Sequence, residues 1–181
     1  MILCAGRNET FEFALPIGVG LIESAINLTR YVLDNKPRFL LFVGTAGSYG
    51  DYKPLDVIYT HKAANIELGL LQKQCYTPLT NIIEANHIYV SRGTIDNVIV
   101  NSSNYITTDK SLAMSVLANG CAIENMEFFS VVSVANQFNL PCAGFFVVTN
   151  YCDKNAHADF MKNHAQAKDI ITNYIQQTNN I

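Results

Sequence analysis

Four features of this chain could do chemistry on a small polar ligand: the carboxylate of Glu127, the amide of Asn150, the ring of Tyr105 and the run Gly44-Thr45-Ala46-Gly47. A carboxylate can accept two hydrogen bonds from neighbouring hydroxyls, as on a sugar diol, and an amide donates and accepts at once. An aromatic face stacks on a heterocyclic base. Small residues after a strand let backbone N–H groups come close to a ligand. Together these groups suit a nucleoside better than a charged metabolite. Each also has a plainer role: Glu127 as a carboxylate favoured by a helix amino end, Tyr105 as a packed loop aromatic, the glycines as a tight turn.

The elements that must position them follow from the hydrophobic pattern. Residues 122–155 read as a helix, a turn and a buried strand, with Glu127 at the start of the helix and Asn150 at the end of the strand. Phe128, Val131, Ala135 and Phe138 fall at helical spacing, and Ala143 to Val148 is a continuous apolar run. Phe39 to Val43 is a second such run, ending at the Gly44–Gly47 segment, which the pattern predicts as a glycine-rich turn. Ile2–Ala5, Val57–Thr60, Ile88–Ser91 and Val98–Val100 read as further strands, and residues 61–86 carry no clear pattern. Leu21, Ala25, Leu28 and Val32 share a helix face that ends at Lys36-Pro37. Asp109 is a good amino cap for a helix to Ala118, with Gly120 closing it, and Asn155 opens a long last helix. Strands alternating with helices predict a single α/β domain over residues 1–181, a three-layer sandwich around a mixed, largely parallel sheet. In such sheets ligands collect beyond the carboxyl ends of the strands.

Composition narrows the chemistry. With 181 residues, 49% hydrophobic and 15% charged, the chain can bury a large core and leave apolar surface for an oligomer. A net charge of −3 argues against a nucleic-acid or anionic-membrane partner, and no apolar run is long enough to span a bilayer. The first residues lack the pattern of a signal peptide. Five cysteines, an odd number without a CxxC pair, point to a reduced, cytoplasmic protein. Cys152, just past Asn150, raises the question of a reactive thiol. His61, His87, His157 and His164 show no zinc spacing, so no metal is expected. Gly18-x-Gly20 opens a helix, but Glu23 occupies the third glycine position of a dinucleotide fingerprint. There is no GxSxG elbow and no Walker loop.

The segments Val43 to Gly47, Asn104-Tyr105-Ile106, Glu124-Asn125-Met126-Glu127 and Asn139 to Asn150 resemble the nucleoside phosphorylase superfamily, which includes purine nucleoside phosphorylases, methylthioadenosine/adenosylhomocysteine nucleosidases and futalosine hydrolases. The resemblance covers most of the chain from Ile17 onward. It implies that Glu127 holds the ribose hydroxyls with Met126 beneath the sugar, and that Tyr105 stacks on the base beside Ile106. It further implies that Gly44 and Thr45 border the sugar, and that a homo-oligomer forms with sites near an interface. Asn150 stands where adenosine-cleaving members carry an aspartic acid, and 6-oxopurine-cleaving members an asparagine. No cofactor is implied, other than phosphate as a co-substrate.

The first functional expectation is phosphorolysis of a purine nucleoside, of 6-oxopurine type, in salvage. The alternatives are a nucleosidase using water and an inactive nucleoside-binding relative. The nucleophile's residues stay open at this point. Phe42 and Val43 replace the arginine of hexameric phosphorylases, and the segment before Gly18 is shorter than usual for the family. Arg7 with Gly6 and Thr45 could receive phosphate, Arg92 is a further cation, and Glu9 or Glu12 could activate water.

Overall fold

The computed structural model describes residues 1–86 and 96–178. The predicted strand Ile88–Ser91, His87 and Arg92 lie outside them. The described strands are β1 (Ile2–Cys4), β2 (Leu15–Pro16), β3 (Leu40–Ser48), β4 (Val57–Thr60), β5 (Lys62–Ala64), β6 (Ile82–Glu84), β7 (Ile99–Asn101), β8 (Cys121–Glu124) and β9 (Cys142–Tyr151). The helices are α1 (Leu21–Asn35), α2 (Leu68–Leu71), α3 (Lys110–Ala118), α4 (Phe128–Gln137) and α5 (Ala156–Thr178). The strands form one mixed sheet. Pairs β1–β2, β1–β3, β3–β9, β5–β7 and β7–β8 are parallel, while β3–β8, β4–β9 and β5–β6 are antiparallel.

β3 and β9 are the centre of this sheet. They pair from Leu40↔Cys142 to Ser48↔Tyr151. Alternation along both strands feeds two cores, because successive side chains point to opposite faces. Leu40, Phe42, Phe146 and Val148 pack with Leu28 and Val32 of α1 and Phe128 and Val131 of α4. Leu41, Val43, Phe145 and Val147 pack with Ala167, Ile171 and Ile175 of α5. Helices therefore cover both faces, which is the expected three-layer order.

Three sequence expectations are corrected. Gly44–Gly47 is not a turn: β3 continues through it to Ser48, because β9 pairs along its whole length and β8 takes Gly47 and Ser48 on the other side. Residues 122–155 begin in a strand, since Cys121–Glu124 is β8 and the helix starts only at Phe128; four residues are too few to show a period. Residues 61–86 contain β5, α2 and β6, each too short to be legible.

The β3–β9 ladder carries one irregularity. Ala46 faces Val148 but Gly47 faces Asn150, so Thr149 is an extra residue, a β-bulge. Bulges re-aim side chains and recur beside functional sites. Farther back, the ladder is packed tightly. A β-carbon on Gly144 would lie 2.7 and 2.8 Å from the Phe128 ring, within an aromatic cluster in which Phe128 and Phe146 meet edge to face at 5.1 Å. Gly144→Ala is therefore expected to cost about 1–3 kcal/mol through overpacking, read as a lower urea midpoint with an unchanged slope.

Candidate functional site

A cavity of about 420 Å³ opens at the carboxyl ends of β1, β3, β7, β8 and β9, the size of a typical small-molecule site. Its walls come from distant parts of the chain: Gly6–Glu9 after β1, Thr45–Gly47 of β3, Tyr105 and Ile106 after β7, Met126 and Glu127 after β8, Thr149 and Asn150 of β9. Of the predicted sugar-, base- and phosphate-binding residues that are described, Gly44 does not line it; it faces the Glu9 carboxylate and the Phe42 ring instead.

Glu127 sits at the cap position of α4 and is 3% exposed. Its Oε1 accepts the Gly20 N–H at 2.9 Å. The cap itself is Asn125, whose Oδ1 accepts the N–H groups of Glu127 and Phe128 at 3.0 and 3.1 Å, while its Nδ2 donates to Thr45 O at 3.2 Å. Asn125 thus fixes the start of α4 against β3. Sequence reasoning missed this, although an asparagine just before an apolar helical run is a cap signal.

Glu9 is the second carboxylate. Its oxygens accept from the Thr45 hydroxyl and, at 3.3 Å, from the Thr45 N–H. Burial holds its pKa above the usual carboxylate range, against the opposing pull of the Thr45 hydrogen bonds. Burial also raises Glu127, to about 7, with the charge of Glu9 adding to the effect and the Gly20 N–H working against it. Glu12, the other candidate, is exposed and does not line the cavity.

The bulge brings Thr149 and Asn150, neighbours that would otherwise face opposite sides of the sheet, to one cavity wall. Asn150 is buried; Nδ2 donates to Tyr151 O at 3.0 Å and Oδ1 accepts the Thr149 hydroxyl at 2.9 Å. Since the carbonyl of Tyr151 can only accept, it orients the amide. One N–H and one acceptor lone pair remain for a ligand. Opposite, Tyr105 borders the cavity while 83% exposed and Ile106 while 60% exposed. Their loop is anchored where Thr107 N–H donates to Glu124 Oε1 at 3.0 Å, the same carboxylate that accepts the Tyr49 hydroxyl at 2.9 Å.

Arg7 is the one permanent cation among the described cavity residues, and it stands at the rim. Its side chain is 74% exposed and 3.7 Å from Glu23. Cys152 is buried, and burial together with the nearby Glu124 pushes its thiol pKa upward, which makes it inert. His157 and Phe160 of α5 also line the wall. Helical spacing alone puts His157 on a solvated face and Phe160 on a core stripe, with nothing to mark them as cavity residues. Among the described residues, no cluster of three or more His, Cys, Asp or Glu could hold a metal ion, and no helix is long and apolar enough to cross a membrane.

The arrangement is a cavity lined by two carboxylates, an oriented amide and an aromatic ring. The family model described as the phosphorylase superfamily matches residues 13–178. This chain belongs to that superfamily. Its fold is that of several nucleosidases. The Helicobacter pylori 5'-methylthioadenosine/S-adenosylhomocysteine nucleosidase superposes with a TM-score of 0.80 at 15% identity, covering 99% of this chain and 96% of that one. The futalosine hydrolase of H. pylori gives 0.81 at 16% identity, with 99% and 96% covered. The Streptococcus pneumoniae nucleosidase gives 0.79 at 12% identity, with 98% and 96% covered. No curated protein sequence matches the chain. Membership supports an enzyme of nucleoside N-glycosidic bond cleavage, coarser than the phosphorolysis first expected of this superfamily member.

The raised Glu127 carboxyl has a consequence for stability. A carboxyl whose folded pKa lies above its unfolded one stabilises the fold below about pH 4.5, and this contribution is lost as pH rises toward 7. The loss is up to about 3 kcal/mol. Glu127→Gln keeps an acceptor for Gly20 and removes the titration. Its thermal midpoint is expected to overtake the wild type between pH 5 and pH 8, measured by thermal unfolding without ligand.

Proposed function

We propose that the protein hydrolyses the N-glycosidic bond of a purine nucleoside, preferring a 6-oxopurine base, with water rather than phosphate as the nucleophile. The observation that carries this is the Glu9 carboxylate on the Thr45 hydroxyl and N–H. Those donors are the ones a phosphate beside the sugar would need. An anion there would instead meet Glu9 and Glu127, while Arg7 is drawn to Glu23 at the rim. A neutral water fits the same place.

In this reading Glu127 accepts the sugar hydroxyls and Tyr105 stacks on the base. As the C1'–N9 bond lengthens, its electron pair goes to the purine and positive charge grows on the sugar. Two carboxylates in a buried site stabilise that cation. Water adds to C1' and gives its proton to Glu9, whose raised pKa makes it a better base near neutral pH. The departing base carries its negative charge on O6 and N7 until solvent supplies a proton to N7, and Glu9 returns the water's proton to solvent, leaving free sugar and neutral base. Asn150 has an N–H to donate there and a lone pair to accept from N7–H, a match for hypoxanthine or guanine. Adenine presents its amino group as a second donor. The reaction needs no cofactor. The exposed Tyr105 and Ile106 at the cavity edge support a homo-oligomer in which a second copy shields them.

Inosine, guanosine, futalosine and adenosine should be tested with and without inorganic phosphate. Free ribose, or the free 5'-substituted sugar, in phosphate-free buffer is the expected product. Phosphate-dependent formation of the sugar 1-phosphate would replace hydrolysis with phosphorolysis, and binding without turnover would mark an inactive relative. Glu9→Gln is expected to lower kcat by about 10²–10⁴-fold, whereas Glu12→Gln should leave it unchanged. Asn150→Asp should shift preference toward 6-aminopurines, because an aspartate facing the Tyr151 carbonyl is held protonated and can act as an acid. An unchanged ratio of inosine to adenosine turnover would remove residue 150 from base recognition.

A further inference from the structure

The sugar-binding and base-binding sides of the cavity meet a common element outside it. At the amino end of α1 the Gly20 N–H donates to Glu127 Oε1 at 2.9 Å, and the next N–H, from Leu21, donates to Asn104 Oδ1, also at 2.9 Å. A helix leaves its first N–H groups without internal partners. Here they are closed by two side chains from different segments, Glu127 at the start of α4 and Asn104 in the loop after β7. Gly20 itself has no side chain to cap with, so Asn104 acts as a cap supplied from another loop.

The junction is held on its carbonyl side as well. Ser24 donates to Gly20 O at 2.6 Å, and Ser130, one turn into α4, donates to Leu21 O at 2.7 Å. Gly20 has φ +82°, and a β-carbon there would lie 2.7 Å from Asn104 Oδ1. Glycine is therefore required both for the backbone angle and for the approach of Asn104. Neither residue lines the cavity, but Val19, Ser103 and Tyr105 beside them do.

We propose that Asn104 is a positioning residue: through the amino end of α1 it couples the Tyr105 loop to Glu127, and so sets the tilt and distance between bound base and bound sugar. This rests on the cavity being a nucleoside site. Within the loop the Ser103 hydroxyl accepts the Tyr105 N–H and donates to the Tyr105 carbonyl, both at 3.0 Å, and Thr107 is tied to Glu124, so the exposed Tyr105 and Ile106 follow the loop backbone. The Asn104 bond lies on the far side of Tyr105 and closes the loop at its second end. Misalignment of a few tenths of an ångström between base and sugar acts on the bond-breaking step more than on binding of either part.

Asn104 is exposed, so its substitution should leave the fold intact. Asn104→Ala is expected to lower kcat about ten- to a hundredfold on the best nucleoside while changing the affinity for free hypoxanthine less than about twofold. Asn104→Asp keeps an oxygen acceptor at the helix amino end and should restore most of the rate. The acid limb of the kcat/KM profile should move upward in the alanine variant, because a loosened Gly20 N–H stabilises the charged Glu127 less. Glu9, whose charge also acts on Glu127, keeps its Thr45 partner in all three proteins. A second readout needs no turnover. In wild-type protein the amide resonance of Gly20 should titrate with Glu127, and Asn104→Ala should reduce the amplitude while Asn104→Asp preserves it. Wild-type kcat and an unchanged Gly20 titration in Asn104→Ala would overturn the proposal, as would an aspartate variant as impaired as the alanine one. Wild-type protein that cleaves no nucleoside would overturn the nucleosidase reading alone, and the Gly20 titration would still decide this one.

Discussion

The parallel pairing of β3 with β9 is the interaction on which the rest of the molecule depends. It supplies the middle of both cores, and its last residues carry Thr45, Gly47 and Asn150 to the cavity. The single extra residue at Thr149 is what turns a regular ladder into a site. Without it, Thr149 and Asn150 would face opposite sides of the sheet and only one could meet a ligand. The Thr149 hydroxyl could not then orient the amide beside it. The glycines nearby serve the same end: a β-carbon on Gly47 would meet Cys152 Sγ at 2.9 Å and Asn150 Nδ2 at 3.1 Å. The small residues of β3 are therefore there to admit neighbouring side chains, within a strand that stays regular up to the bulge.

Electrostatics then sets the character of the cavity. Buried Glu127 and half-buried Glu9 line the same cavity with their charges acting on one another, Arg7 at the rim is turned toward a surface glutamate, and the cation that acts on Glu9 is Lys168, outside the cavity lining. Such a site is poor for an incoming anion and good for a positive charge that develops inside it. The backbone N–H of Gly20 and the hydroxyl of Thr45 keep the pair tolerable in the empty protein. Hydrolysis and phosphorolysis of the same bond differ in little else than this choice of neighbour for the sugar.

Much of this was legible in the sequence. The long apolar runs and the helical stripes located β3, β9, α1 and α4, because each buries a full face and repeats its pattern often enough to be read. Glu127, Asn150, Thr45 and Tyr105 stood out by residue type and Met126 by the family resemblance, and all five line one cavity. What was not legible depended on pairing rather than on local pattern. Gly44–Gly47 looks like a turn until β9 and β8 are seen to flank it. β8 is four residues long and has no period to show. Glu9 could be narrowed to one of two glutamates, yet only the fold shows that its loop returns to Thr45 while Glu12 points to solvent. His157 and Phe160 sit on a helix whose other side is core, so nothing local marks them.

The Glu127 carboxyl near pH 7 makes occupancy of the cavity a proton-exchange event. At neutral pH the empty site holds a fraction of a proton on this group, and a ligand carrying positive charge at the sugar position favours its release. Affinity for such a ligand should rise with pH until Glu127 is fully ionised, by simple linkage. The heat of binding would then contain the ionisation enthalpy of whatever buffer takes up the proton. Calorimetric affinities for cationic and neutral sugar mimics would diverge with pH even though the two make the same contacts.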